Sequence, residues 1–310
     1  MSTWTYEPSQ HVPFRDTDAI RRVRAMTRDE LVRHRNPDFR IHIMSASEIA
    51  TVFLSDIFAR IKESDEQDKP VVLILPNPCA AYREVAMYLN RARINCRNVH
   101  LFAMDEYANE KGQIAPETWE FGFLYALKKY FWANLDPELR MPEKQVHGPN
   151  NKNIDRYGAM MEDLGGADMC YSGPGWTGHL AFIEPDAPEF DAPLAEWKTF
   201  GARVCTLSPF TLAQNSLYGA FGKSGDLSIV PPKAATIGPR EVIAAKNRLD
   251  MSSITVHGTT TSWQRLITRL AAHGPVTPKV PTSIHQELRT DFYISHENAM
   301  PIEPDWEKGY

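Results

Sequence analysis

Five apolar residues in succession, Val71-Val72-Leu73-Ile74-Leu75, mark a strand covered on both faces, the habit of a parallel sheet. Shorter apolar runs at 99–104 and 167–171 read as further strands, and 40–44 alternates like one. Helical spacing lies between them. After 40–44, Ser45 meets Glu48 three residues on, the spacing of a capping box, and Ile49, Val52, Phe53, Ile57 and Ile61 then share one helical face. Helices are also predicted at 80–93, 117–134, 154–164, 239–246 and 260–272, and later strands at 204–207, 234–237, 254–257 and 291–295. Strands alternating with helices predict an α/β fold: a doubly wound, mostly parallel, Rossmann-like sheet with helices on both faces. Proline-rich breaks at 185–193, 231–232 and 275–281 read as loops inside one domain spanning 39–310. Residues 1–38 read as an N-terminal extension with one helix near 28–35.

The 310 residues carry a net charge of −5, so the basic face a nucleic-acid binder uses is not expected. No apolar run approaches the ~20 residues of a membrane span. Cys79, Cys96, Cys170 and Cys205 are scattered without C-x-x-C pairing, which argues against structural zinc and disulfide scaffolds and fits a cytoplasmic setting. The extension and the aromatic-rich segment 117–134 could serve a homo-oligomer, and intramolecular packing accounts for them equally well.

In doubly wound sheets ligands bind beyond the carboxyl ends of the strands, which directs attention to the residues after Leu75, Met104, Ser172 and His257. Met104-Asp105-Glu106-Tyr107 places two carboxylates there. A carboxylate held away from bulk water can serve as a proton-transfer base; alternatively Asp105 caps the next element and Glu106 is solvated. A second stretch runs from Ser172 through Gly173, Gly175, Trp176, Thr177, Gly178 and His179 to Glu184-Pro185. Its glycines formally satisfy a dinucleotide fingerprint, but Pro185 comes too soon for a full helix and no acidic residue ends a following strand. The glycines instead let the backbone approach a ligand, and His179 with Glu184 could form an acid–base pair, against a purely structural histidine.

Together these segments resemble the glucosamine-6-phosphate deaminase/isomerase family, whose fold 6-phosphogluconolactonases share. Met104-Asp105-Glu106-Tyr107 and Gly175-x-x-Gly178-His179-Leu180-Ala181-Phe182-Ile183-Glu184-Pro185 carry the resemblance, which extends over the element pattern from about 39 to 298. It implies that the carboxylate matching Asp105, with Glu106 beside it, moves a proton between C1 and C2 of an open-chain amino sugar. It further implies that His179 assists ring opening, that Glu184 orients the imidazole, and that no metal or other cofactor is required.

The sequence departs from that family in two ways. The turn that would hold a sugar phosphate reads Pro76-Asn77-Pro78-Cys79-Ala80-Ala81, without hydroxyls and with a proline lacking an N–H. The phosphate-pairing arginine falls at Leu217 and the lysine near Thr261, beside Thr260. In addition, Thr177 stands where the family has an aspartate, and a hydroxyl is no proton acceptor near neutral pH. The expected ligand is therefore a small-molecule sugar or amino sugar without the terminal phosphate. Contacts are expected from Asn77, Pro78, Gly175, Trp176, Thr177, Gly178 and Thr260. An aldose–ketose isomerase or amino-sugar deaminase is the first reading; a non-catalytic sugar sensor derived from the enzyme and a sugar-lactone hydrolase are the alternatives.

Overall fold

The computed structural model describes residue 4, residues 6–255 and residues 259–306. The strands, in chain order, are β1 (Phe39–Met44), β2 (Val71–Leu75), β3 (Val99–Ala103), β4 (Asp105–Ala108), β5 (Val146–His147), β6 (Met169–Ser172), β7 (Arg203–Thr206), β8 (Lys233–Thr236), β9 (Arg248–Ser252) and β10 (Thr290–Ser295). The helices are α1 (Thr17–Arg24), α2 (Arg28–Leu31), α3 (Ala46–Gln67), α4 (Tyr82–Ala92), α5 (Phe123–Tyr130), α6 (Tyr157–Glu162), α7 (Leu194–Trp197), α8 (Pro209–Ser216), α9 (Pro239–Ala244) and α10 (Gln264–His273).

Seven strands pair in parallel in the order β1-β10-β9-β6-β2-β3-β5. Along β2 the side chains alternate between two cores. Val72 and Ile74 join Tyr157 and Met161 of α6 and Val242 of α9, whereas Val71, Leu73 and Leu75 join Phe53 and Ile57 of α3 and Val85 and Leu89 of α4. A strand buried on both faces has no polar position to spare, which is why its sequence is unbroken apolar. From β2 the chain winds outward through β3 to β5, and from β6 outward the other way through β9 to β10. The order thus reverses between β2 and β6, where such folds open a ligand crevice.

The expected doubly wound α/β sheet is present, with two departures. First, β4, β8 and β7 form a separate antiparallel sheet, so the strands expected at 204–207 and 234–237 belong to it and not to the parallel one. The chain passes from β3 through Met104 alone into β4, which turns Asp105 into a strand residue. Second, the strand expected at 254–257 is β9, at Arg248–Ser252. Residues 254 and 255 are irregular, and 256 and 257 lie outside the described residues. Arg248 and Asp250 hide this strand from an apolar pattern. Arg248 is buried because its guanidinium donates to the carbonyls of Val242, Ile243, Ala245 and Arg289.

Ser45 and Glu48 form the expected capping box at the start of α3, each side chain bonding the other's backbone N–H. The N-terminal segment holds two helices, α1 as well as α2. Val23 of α1 packs on Leu270 and Val280, and Leu31 of α2 packs with Phe39, Ala271 and Phe292. Among the described residues no helix is long and apolar enough to cross a membrane.

Candidate active site

At the reversal point lies a cavity of about 480 Å³, a size that suits a small ligand. The turns after β2 (Pro76, Asn77, Pro78, Cys79) and β6 (Gly173, Pro174, Gly175) line it, with Asp105 at the start of β4 and Ser253 and Ile254 after β9. His179 enters from the loop beyond Gly175, and Gln214, Asn215 and Tyr218 close one side from α8 and its end. No lysine or arginine is among the described residues that line this hollow.

Asp105 is buried, and that burial pushes its carboxyl pKa well above the usual range; the neighbouring Glu106 charge adds to the rise. Glu106 points elsewhere. It accepts from the backbone N–H groups of Tyr107, Phe123 and Leu124, so its carboxylate anchors the N-terminus of α5. A Cβ on Gly122 would come 3.1 Å from Glu106 Oε2, which is why the residue before α5 carries no side chain. This anchorage explains why α5 begins at Phe123 and not near 117. Glu106 is neither solvated nor in the cavity lining.

The imidazole of His179 rests directly on Gly175: a Cβ there would lie 1.9 Å from Nε2. Gly178, at φ +83°, supplies the left-handed turn that brings His179 back over Gly175, closed by hydrogen bonds from Gly178 N–H to Gly175 O and Gly175 N–H to His179 O. On its inner side His179 Nδ1 lies 3.0 Å from Thr177 Oγ1, 3.0 Å from Thr211 Oγ1 and 3.5 Å from Glu184 Oε2. Thr177 donates its one hydroxyl hydrogen to Glu184 Oε2 at 3.2 Å. Its oxygen must then accept from His179, which places the ring hydrogen on Nδ1 and leaves Nε2 as an acceptor. Glu184 is fully buried, and its other oxygen accepts from Ser208 N–H. Where a carboxylate was expected beside the histidine, a threonine relays the contact to Glu184.

Asn77 lines the cavity, and its Oδ1 is buried without a partner. Pro78 and Gly175 line it too. Glu184, Thr177 and Gly178 stand behind His179, outside the lining. Trp176 is also outside it: the indole is 39% exposed and stacks on Trp263 at 5.5 Å, while its N–H backbone group donates to Gln214. Thr260 is exposed and away from the lining, its carbonyl accepting from Arg265. Leu217, at the position of the expected phosphate arginine, is partly exposed and outside the lining. Gln214, Asn215, Tyr218 and Ser172 were not singled out from sequence. They form neutral polar walls, with Gln214 Nε2 donating to Tyr218 Oη and Asn215 Nδ2 donating to Tyr107 Oη. Only the helical period of α8 could have signalled the first two.

A glucosamine-6-phosphate deaminase from Lachnoclostridium phytofermentans is 28% identical over 215 residues, covering 67% of this chain and 78% of that protein. The Caenorhabditis elegans deaminase is 26% identical, covering 65% and 71%. The chain resembles glucosamine-6-phosphate deaminases over about two thirds of its length. A solved monomeric glucosamine-6-phosphate deaminase shares the fold of this deaminase-like chain with a TM-score of 0.66 at 20% identity, over 84% of this chain and 98% of the other. The 6-phosphogluconolactonase from Leishmania guyanensis does so at 0.58 and 14%, over 85% and 98%. No protein-family model matches the deaminase-like chain. The likeness places it among enzymes of carbohydrate metabolism.

Proposed function

We propose that this protein transfers a proton between C1 and C2 of an open-chain sugar, as an aldose–ketose isomerase or amino-sugar deaminase, and that its substrate lacks the terminal phosphate. The observation that carries the reading is a single hollow lined by Asp105 and His179 in which no described residue bears a positive charge. Its polar wall of Asn77, Gln214, Asn215 and Tyr218 suits neutral hydroxyls.

The division of labour follows from the two environments. His179 Nε2, an acceptor held in place by Thr177 and Glu184, takes the anomeric hydroxyl proton as the ring opens. Asp105 takes the proton from C2 and returns it to C1. A carboxyl whose pKa is raised by burial is a stronger base when ionised, and it can hold the proton between the two carbons. Loss of the arginine and lysine removes two charge-assisted contacts worth ~1.5–3 kcal/mol each to a phosphate. Burying a dianion beside Asp105 without them would be unfavourable.

Calorimetric titration of D-glucosamine against D-glucosamine 6-phosphate tests the substrate class. The unphosphorylated sugar is expected to bind at least as tightly; a tenfold or greater preference for the phosphorylated one would refute the reading.

A further inference from the structure

Strands β6 and β9 run side by side with Ser172 opposite Asp250. Ser172 lines the cavity, and its hydroxyl lies 2.6 Å from Asp250 Oδ2. His285, from the 3₁₀ turn Pro281–Glu287, brings Nε2 to 3.1 Å from the same carboxylate oxygen and 3.4 Å from Ser172 Oγ. All three residues are at most 1% exposed. Nothing in the chemistry above uses them.

Counting hydrogens fixes the polarity of this cluster. Ser172 Oγ donates to Asp250 Oδ2, so the serine hydrogen points inward, and Asp250 Oδ1 is buried without a partner among the described residues. His285 Nε2 faces two oxygens and must carry a hydrogen. Nδ1 of the same ring is buried without a partner, so it is the lone-pair nitrogen; a hydrogen there would be a buried donor left unbonded. Ser172 is therefore left with an oxygen lone pair for the cavity and no hydrogen to offer.

We propose that Ser172 binds the substrate by accepting a hydrogen bond from one of its hydroxyl or amino groups, with Asp250 and His285 as positioning residues that enforce this polarity. At that point the cavity selects a donor and leaves an acceptor-only atom, such as a carbonyl or phosphate oxygen, unpaired. The inference rests on the reading of the cavity as a site for phosphate-free sugars and identifies one contact within it.

The test combines titrations of D-glucosamine, D-glucose and their mono-deoxy analogues with ¹⁵N spectra of the imidazoles in the full-length protein. Ser172→Ala is expected to weaken D-glucosamine about five- to tenfold, the size of one hydrogen bond. One analogue, lacking the donor in question, is expected to bind wild type and Ser172→Ala alike, a selectivity that a general packing defect would not produce. The His285 signals are expected to show hydrogen on Nε2, with that proton's resonance moving in Asp250→Asn. Equal loss for every analogue, no loss for any, or a hydrogen on Nδ1 would overturn the serine contact. Tighter wild-type binding of D-glucosamine 6-phosphate would overturn only the phosphate-free reading, and the Ser172→Ala comparison would then be read on that ligand. Binding of no sugar at all would overturn both.

Discussion

The hydroxyl of Thr177 lies 3.0 Å from Nδ1 of His179, and by donating onward to Glu184 it joins the imidazole to a fully buried carboxylate. Severing that link leaves Glu184 short of a donor, while Nδ1–H keeps Thr211 Oγ1 at 3.0 Å. Thr177→Val is nearly isosteric, so cavity effects are small. It is expected to cost about 1–3 kcal/mol, read as a fall in Tm. Thr177→Ser keeps the hydroxyl and is expected to stay within about 1 kcal/mol of wild type. Equal melting of the valine and wild-type proteins would show that the relay contributes nothing.

Gly175 gives a sharper handle on the imidazole, because a methyl group there would overlap the ring. Gly175→Ala is expected to displace His179 and cut turnover about 100-fold, the usual consequence of misplacing a reacting group by an ångström. Circular dichroism should remain that of wild type, since the loop is held independently by Thr282, whose hydroxyl donates to Gly178 O. Undiminished turnover would place the histidine outside the chemistry.

Glu106 should affect stability ahead of chemistry. In Glu106→Gln the amide nitrogen would face a backbone N–H that now meets a carboxylate oxygen. A loss of about 1–3 kcal/mol is expected from the buried donor left unpaired, measurable by urea denaturation.

Asp105 makes a pH-dependent prediction. Its carboxyl pKa is raised by burial, so the folded state holds the proton more tightly than the unfolded chain does. Its favourable contribution is complete below the ordinary carboxylate pKa and is lost as pH rises through the raised value. At neutral pH the ionised form therefore costs stability, and Asp105→Asn is expected to melt higher than wild type, by about 2 °C or more. The gap should close as pH falls towards 4. A variant that melts lower at pH 7 would mean that the carboxylate is compensated by a partner.

The parallel sheet was legible because its central strands are apolar on both faces, and α3 because Ser45 and Glu48 announce its start. The antiparallel sheet was not, since β4 follows β3 after one residue and short strands such as Lys233–Thr236 look alike in either sheet. β9 was displaced in the reading by its own buried arginine and aspartate, which are satisfied by backbone carbonyls and by Ser172 and so interrupt the apolar pattern. Ser172, Asp250 and His285 could not be grouped from the sequence: their spacing along the chain means nothing until β6 and β9 are adjacent. Asp105 and His179 could be picked out by their motifs. Trp176 could not be separated from a cavity residue by composition, and only its stacking on Trp263 shows where the indole goes.

Hydrogen exchange at C2 most directly probes a hollow that moves protons without gripping a phosphate. D-glucosamine and D-glucosamine 6-phosphate would each be incubated with the protein in heavy water and followed by proton NMR. Deuterium should enter C2 of D-glucosamine at least as fast as that of the phosphorylated sugar, and incorporation should vanish with Asp105→Asn. Exchange confined to the phosphorylated sugar, or undiminished in Asp105→Asn, would contradict the account.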